Sequence, residues 1–480
     1  MNTSAILYLG SRGLAAVGNL LAVAIFTRIV GPEEYGRYVL IFAWSMIVYG
    51  FSAQWMRFAY FGTYQSSRLN EYVASLAQLH LAALAMLSVG FAAMVLSGTF
   101  DAEFLWAIFA LVFGMTLYES VFEVTRTVPN PAAGALSMIM RTSLIVVFGS
   151  ALLWCGGGAI GLAYAIAAAH LLAAVPCLMT FSSVRLSQSS RSACVGMLKY
   201  GWPLLLSFGV TAIGQSIDRL LLAHFLGTAI LGPYGVIADL MRQSFSVVGE
   251  AIILALGTQA KLHANEGNIA AADRELRKSF NACLAAACFG AAFFFVFGDI
   301  VVQVLLGARF ADESRELIPI FALAFAFMTM RNFYFGQVIY FSGSSYLELV
   351  MSILFVIVSS VLSIVLIPKY GAYGAAVSLT VAFSASCIMC IVLGRYHYPM
   401  PIDLVGLRSI AILAIGFVGL AWLIDQVVAQ PRIALAIKGV LFVIAAAIMM
   451  RKFGLLRSTE VIAAGPAGKV DARPRAAVAE

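Results

Sequence analysis

The chain has 480 residues, 62% of them hydrophobic and 11% charged, with a mean hydropathy of +0.95 and a formal net charge of +7. Soluble chains carry about 25% charged residues, so a soluble fold is excluded. The apolar runs are continuous rather than alternating and approach the roughly 20 residues that cross a bilayer as helix, which excludes the strands of a membrane barrel and leaves an all-α integral membrane protein.

In chain order the runs predict fourteen spans, at about 5–28, 38–62, 72–97, 102–124, 132–154, 159–182, 202–226, 234–259, 280–305, 317–341, 347–367, 372–394, 404–425 and 432–450. The first lacks a basic leader and an A-x-A cleavage site, so it reads as a span rather than a signal peptide. "GPEEYGR" (Gly31 to Arg37) then reads as a turn, held at the membrane surface by Arg28, Glu33, Glu34 and Arg37. "NIAAADRELRKSF" (Asn268 to Phe280) reads as a short amphipathic helix along the surface. The residues after Arg457 lack periodicity and read as a disordered tail.

Basic residues such as Arg68, Arg126, Arg185, Lys199 and Arg277 gather on the side of the termini, which places both termini in the cytoplasm of a bacterial inner membrane. The positive charge is thus a topology signal, and no nucleic-acid partner is expected. The domain reading is an N-terminal six-helix lobe over 1–182, a cytoplasmic linker over 183–201 and a C-terminal six-helix lobe over 202–395. Two additional transmembrane helices over 396–453 and the tail over 454–480 complete it.

The lobes are read as pseudo-symmetric because the sequence echoes itself. A shift of 196 residues lays "GNLLAVAIFTRIVGPEEYGRY" on "GQSIDRLLLAHFLGTAILGPY" without a gap. Gly18 meets Gly214, Asn19 meets Gln215, Gly31 meets Gly227, Gly36 meets Gly232 and Tyr38 meets Tyr234. A second echo joins "GAIGLA" (Gly158 to Ala163) to "GAYGAA" (Gly371 to Ala376). Both copies fall on the same side of the membrane, six helices apart, which makes the repeat parallel.

Four stretches carry a family resemblance: "FTRIVGPEEYGRY", "LKYGWPLLLSFGVTAIGQSIDRLLLAHFLG" (Leu198 to Gly227), "VVQVLLGARFADES" (Val301 to Ser314) and "IPKYGAYGAAVS" (Ile367 to Ser378). In this order they resemble the polysaccharide exporters of the multidrug/oligosaccharidyl-lipid/polysaccharide (MOP) superfamily, over about Ala5 to Arg395. The resemblance implies a flippase for undecaprenyl-diphosphate-linked oligosaccharide, working by alternating access between two lobes. Expected partners are the polyprenyl-diphosphate-linked glycan, membrane lipids, a polysaccharide polymerase and other membrane proteins of lipopolysaccharide or exopolysaccharide assembly.

A pyrophosphate in a low-dielectric path needs cations, and arginine supplies a permanently charged planar fork. Charges inside spans are costly and face a cavity or a partner. The candidate substrate-binding residues are therefore Arg12, Asn19, Arg57 and Arg141 in the first half, and Gln215, Asp218, Arg219 and Arg331 in the second. Arg12 and Asn19 share a helix face, while Ser207, Thr211, Gln215 and Asp218 form one polar stripe at 4-4-3 spacing. Asp218, Glu119, Glu123 and Glu250 are the candidate hosts of a coupling ion. Asp239, Arg242 and Glu250 read as braces of the eighth helix, and His80 and His170 as packed between helices.

No catalytic residue, cofactor or metal site is expected. "GGGAIG" joins two spans without a βαβ unit, "GPAGKV" lacks the spacing of a phosphate loop, and "CIMC" has no second ligand pair. The rival readings are a multidrug cation antiporter of the same superfamily and a membrane-embedded glycan polymerase or ligase. A cation exporter would line its path with carboxylates, whereas the deep charges here are mostly arginine. A polymerase or ligase would carry a long outer loop, and the longest outer connection here is about a dozen residues.

Overall fold

A computed structural model describes residues 3–128, 130–342 and 346–452. The tail over 454–480, with its "GPAGKV" motif, lies outside the described residues. Among the described residues thirteen helices are long and apolar enough to cross a membrane. One of them, Tyr346–His397, is broken at Gly371, whose φ of +61° and ψ of −139° lie outside helical geometry. Glycine reaches that conformation at no steric cost, and Pro368 has already removed one helical donor. Two crossings result, which brings the total to the predicted fourteen.

The first lobe comprises α1 (Thr3–Ile29), α2 (Pro32–Thr63), α3 (Leu69–Leu96), α4 (Ala102–Thr125), α5 (Pro131–Trp154) and α6 (Gly158–Thr180). The second comprises α7 (Arg191–Leu226), α8 (Thr228–Asn265), α9 (Ile269–Leu305), α10 (Ala308–Phe333), α11 (346–370) and α12 (372–397). Helices α13 (Leu404–Val427) and α14 (Pro431–Lys452) follow, α13 packing on α9 and α14 on α13. We call the side of the α1–α2 connection the turn face and the opposite side the terminal face.

Two local expectations are corrected. The charged stretch after Gly31 is helix, not turn: α2 starts at Pro32, with Gly31 as extended N-cap and Glu33 and Glu34 in the first turn. Proline is tolerated there because the first N–H has no helical partner, and carboxylates suit the positive end of the helix dipole. Likewise no separate surface helix precedes the ninth span. Asn268 caps α9 by accepting from the Ala271 N–H at 3.1 Å, and one helix continues to Leu305. Ala272, Leu276 and Phe280 are buried, so the apolar stripe of this stretch packs into the protein rather than onto lipid.

Packing repeats with a shift of six helices. In the first lobe α1 lies on α5 and α4 on α6, and in the second α7 lies on α11 and α10 on α12. The echoed glycines sit at equivalent close approaches. A Cβ on Gly18 would collide with Thr142 of α5, and one on Gly214 would come within 3.0 Å of Phe355 of α11.

The lobes meet at the turn face through the other echoed pair. A Cβ on Gly36 would strike the Thr228 carbonyl and stand 2.9 Å from Gly232 N, while one on Gly232 would strike the Pro32 carbonyl. Pro32 and Thr228 are themselves separated by the repeat offset. The contact is therefore reciprocal, as a two-fold axis between lobes requires. Toward the terminal face α2 changes partner and packs on α7: a Cβ added to Gly50 would stand 2.7 Å from that of Ala212, and one on Gly201 would strike the Trp55 ring. The second helix of each lobe also carries one π-helical turn, Gly50–Gln54 in α2 and Ile253–Gly257 in α8.

Candidate substrate-binding site

The charges singled out in the sequence fall into three groups. In the first lobe, Arg57 of α2 and Arg141 of α5 converge on one carboxylate, Glu119 of α4. Arg57 Nη1 donates to Glu119 Oε2 at 2.7 Å, and Arg141 Nη1 lies 3.7 Å from Oε1. Side-chain exposure is only 14% for Arg57 and 24% for Arg141, so both are largely buried within the lobe. Phe58 and Tyr118 lie under the two guanidinium groups at 5.1 and 5.0 Å. Nε of both arginines is buried without a hydrogen-bond partner. Two cations share one anion, which leaves a net positive centre with unused donors.

The second lobe is built differently. Arg219 of α7 grips Asp239 of α8 through two hydrogen bonds of 3.2 and 2.6 Å, and Arg242 adds a third at 2.6 Å. Asp218 Oδ2 accepts from the Tyr234 hydroxyl at 2.6 Å, while its Oδ1 and the Arg219 Nε are buried without partners. Arg331 of α10 donates to Glu348 of α11 at 2.8 Å, to Asn332 at 2.9 Å and to Ser386 of α12 at 3.3 Å. Of these groups, Asp218, Arg219, Arg242, Arg331 and Asn332 line a cavity of about 470 Å³ among α7, α8, α10, α11 and α12. The α7 stripe read from spacing faces it: Thr211, Gln215 and Asp218 all line the cavity.

The third group makes two contacts between the lobes and two within the first. Arg12 of α1 pairs with Glu250 of α8 at 3.3 Å, both half-exposed. On the turn face Arg28 donates to the Val304 and Leu305 carbonyls at 2.7 and 2.9 Å, and Arg37 pairs with Asp101 at 3.0 Å. Glu34 accepts from the Ala159 N–H at 2.8 Å and so caps α6 at the glycine-rich stretch. These charges lock one helix end to another.

The eight candidates therefore do not line one common hollow. Gln215, Asp218, Arg219 and Arg331 line the cavity of the second lobe, Arg57 and Arg141 meet inside the first, and Arg12 bridges the two. Asn19 is half-buried on α1 and forms no hydrogen bond among the described residues. Of the carboxylates considered for a coupling ion, Glu119, Glu123 and Glu250 are each held by arginine, and Asp218 keeps one oxygen unbonded. His80 donates to the Leu76 carbonyl and accepts from Ser120, and His170 packs edge-on to Tyr118. Sequence reasoning missed Glu348 and saw Asp239 only as a brace within α8. The one available signal was the Asp239–Arg242 spacing of one helical turn, which cannot reveal that Arg219 lies opposite.

Two six-helix lobes related by a parallel repeat, with two helices appended, make up the fold. Similar solved structures include the lipid II flippase MurJ in an inward closed conformation, with a TM-score of 0.72 and 11% identity over 95% of this chain and 100% of that one. An inward-facing multidrug-resistance MATE transporter matches with a TM-score of 0.57 and 15% identity, over 82% of this chain and 97% of the other. A MOP superfamily transporter from Pyrococcus furiosus matches at 0.54 and 14%, over 82% and 93%. No curated protein sequence matches the chain. The family model described as polysaccharide biosynthesis protein matches residues 25–315, more than half of the chain. The chain belongs to that family, and it is a multi-pass membrane protein with a flippase-type transporter fold.

Proposed function

We propose that the protein is a flippase that carries an undecaprenyl-diphosphate-linked oligosaccharide, a polysaccharide repeat unit, from the cytoplasmic to the periplasmic leaflet of a bacterial inner membrane. Both termini then lie in the cytoplasm, and the turn face is periplasmic. The two lobes alternate access to the path between them. The observation that carries this reading is the Arg57–Glu119–Arg141 centre, where two guanidinium groups share one carboxylate and each keeps a buried Nε–H unbonded. A diphosphate supplies the missing negative charge and the acceptor oxygens that such donors seek.

Direction needs no ATP. Each charge crossing the membrane potential is worth about 2.3 kcal/mol per 100 mV. Outward movement of an anion from a negative interior is therefore downhill. The cation-antiporter reading is disfavoured because Glu119, Glu123 and Glu250 are all engaged by arginine. In cells lacking the protein, undecaprenyl-linked repeat units are expected to build up on the cytoplasmic leaflet, relieved by the wild-type chain but not by Arg57→Gln. Unchanged surface glycan together with lost drug resistance would overturn the proposal in favour of the antiporter.

A further inference from the structure

We propose that the cavity of the second lobe is a carbohydrate subsite, which takes an uncharged, hydroxyl-bearing sugar ring of the glycan while the diphosphate stays at the arginines of the first lobe. The inference rests on the flippase reading and adds to it a division of labour between the lobes.

Charge is the first argument. The first-lobe centre has one more cation than anions. In the second lobe, Arg219 and Arg242 are paired with Asp239 and Arg331 with Glu348, while Asp218, next to Arg219 in the chain, adds a third carboxylate bonded to the Tyr234 hydroxyl. A site whose arginines are already paired with carboxylates gains little from a second diphosphate.

Hydrogen-bonding capacity is the second argument. Asp218 is 3% exposed and Arg219 5%, and each retains a buried polar atom without a partner, an acceptor at Oδ1 and a donor at Nε. An unsatisfied buried group costs about 1–3 kcal/mol, and both residues stand in the cavity wall, so a small shift of either side chain toward the cavity gains a hydrogen bond from a ligand that can give and take one. A sugar hydroxyl does both. The side chains of Gln215, Gln243 and Ser246 also line the cavity and form no hydrogen bonds among the described residues. Each of them offers a donor and an acceptor.

The apolar wall is the third argument. Phe325, Phe355 and Phe383 line the same cavity, with Phe355 and Phe383 centroids 4.7 Å apart. A pyranose has C–H faces that pack on such rings while its hydroxyls turn to the amides. The cavity volume, about 470 Å³, falls in the range of roughly 300–1,000 Å³ typical of small-ligand sites.

The test uses the full-length protein in lipid nanodiscs with two separate probes, neutral methyl pyranosides (gluco, galacto and manno) and inorganic pyrophosphate, read by saturable thermal stabilisation. At least one pyranoside is expected to stabilise the wild type. Gln215→Leu and Gln243→Leu break no hydrogen bond within the described protein and should leave its unliganded melting point unchanged. Each should weaken the pyranoside effect about fivefold or more while leaving that of pyrophosphate intact. Arg57→Gln should do the opposite. Pyrophosphate binding with no pyranoside binding would overturn the subsite and leave the flippase reading standing. A pyranoside effect undiminished in both glutamine variants would place the sugar elsewhere and also overturn it. Binding of neither probe would overturn both readings together.

Discussion

Replacing Gly36 by alanine tests the contact on which the lobe geometry turns. The added Cβ would stand 2.8 Å from the Thr228 carbonyl carbon and 2.9 Å from Gly232 N, with the carbonyl oxygen nearer still. Carbon atoms pack best at about 3.5–4.0 Å, so α2 and α8 must separate by at least about 0.7 Å. Overpacking of this kind costs about 1–3 kcal/mol. The cost falls on the conformation in which the turn face is closed. The proposed alternating-access mechanism requires a second conformation in which that contact is released, and on that proposal Gly36→Ala should shift the ratio of the two by about 5- to 150-fold.

The assay is the distance between spin labels at Glu33 and Ala229, exposed residues one repeat offset apart on α2 and α8, with the accessible native cysteines removed. The wild type should give mainly the short distance, and Gly36→Ala a new long one. By reciprocity Gly232→Ala should have the same effect, because its Cβ meets Pro32 as that of Gly36 meets Thr228. An unchanged distance distribution with an unchanged melting point in both variants would refute the reasoning.

Glu119→Gln leaves two buried guanidinium groups facing a neutral amide, and breaking such a centre should destabilise the purified protein by about 3–5 kcal/mol. Adding Arg141→Gln should recover part of the loss, and strict additivity in the double-mutant cycle would contradict the shared ion pair. Asp403, just outside the membrane helices, caps α13 by accepting from the Gly406 and Val405 N–H groups at 3.0 and 3.1 Å, and it also accepts from Asn281 at 2.8 Å. The Gly406 N–H first, and then the Asn281 amide, hold its carboxyl below the ordinary value. A lowered folded-state value contributes stability that is present above the unfolded value, about 4, and lost as pH falls through the folded one. Acid melting of the wild type should therefore show a component that Asp403→Asn lacks, and parallel pH profiles would contradict it. Asp403→Ala should cost about 1 kcal/mol through the lost cap.

Much of the fold is written in local patterns. Run length gave the crossings, and one offset of 196 residues exposed both the repeat and the glycines that pack at Thr142, Phe355 and the α2–α8 contact. The polar stripe of α7 named a cavity wall because helical spacing alone decides which residues share a face. Spacing does not say which helix lies opposite. That is why Glu348 and the bond from Arg219 to Asp239 escaped the sequence, and why arginines expected in one hollow divide between the lobes. The start of α2 at Pro32 was hidden for another reason. Proline, glycine and charge read as turn chemistry, yet the same residues are favourable in the first turn of a helix.

The central claim is transport of a diphosphate-linked glycan between leaflets, and reconstitution tests it most directly. Proteoliposomes would be loaded with a labelled undecaprenyl-diphosphate-linked oligosaccharide, and its exposure on the far leaflet followed with a membrane-impermeant glycan-modifying reagent. The account predicts protein-dependent exposure, slowed when Arg57 and Arg141 are both replaced by glutamine in protein that remains folded. Equal exposure with and without the protein, in vesicles where it moves an organic cation, would contradict it.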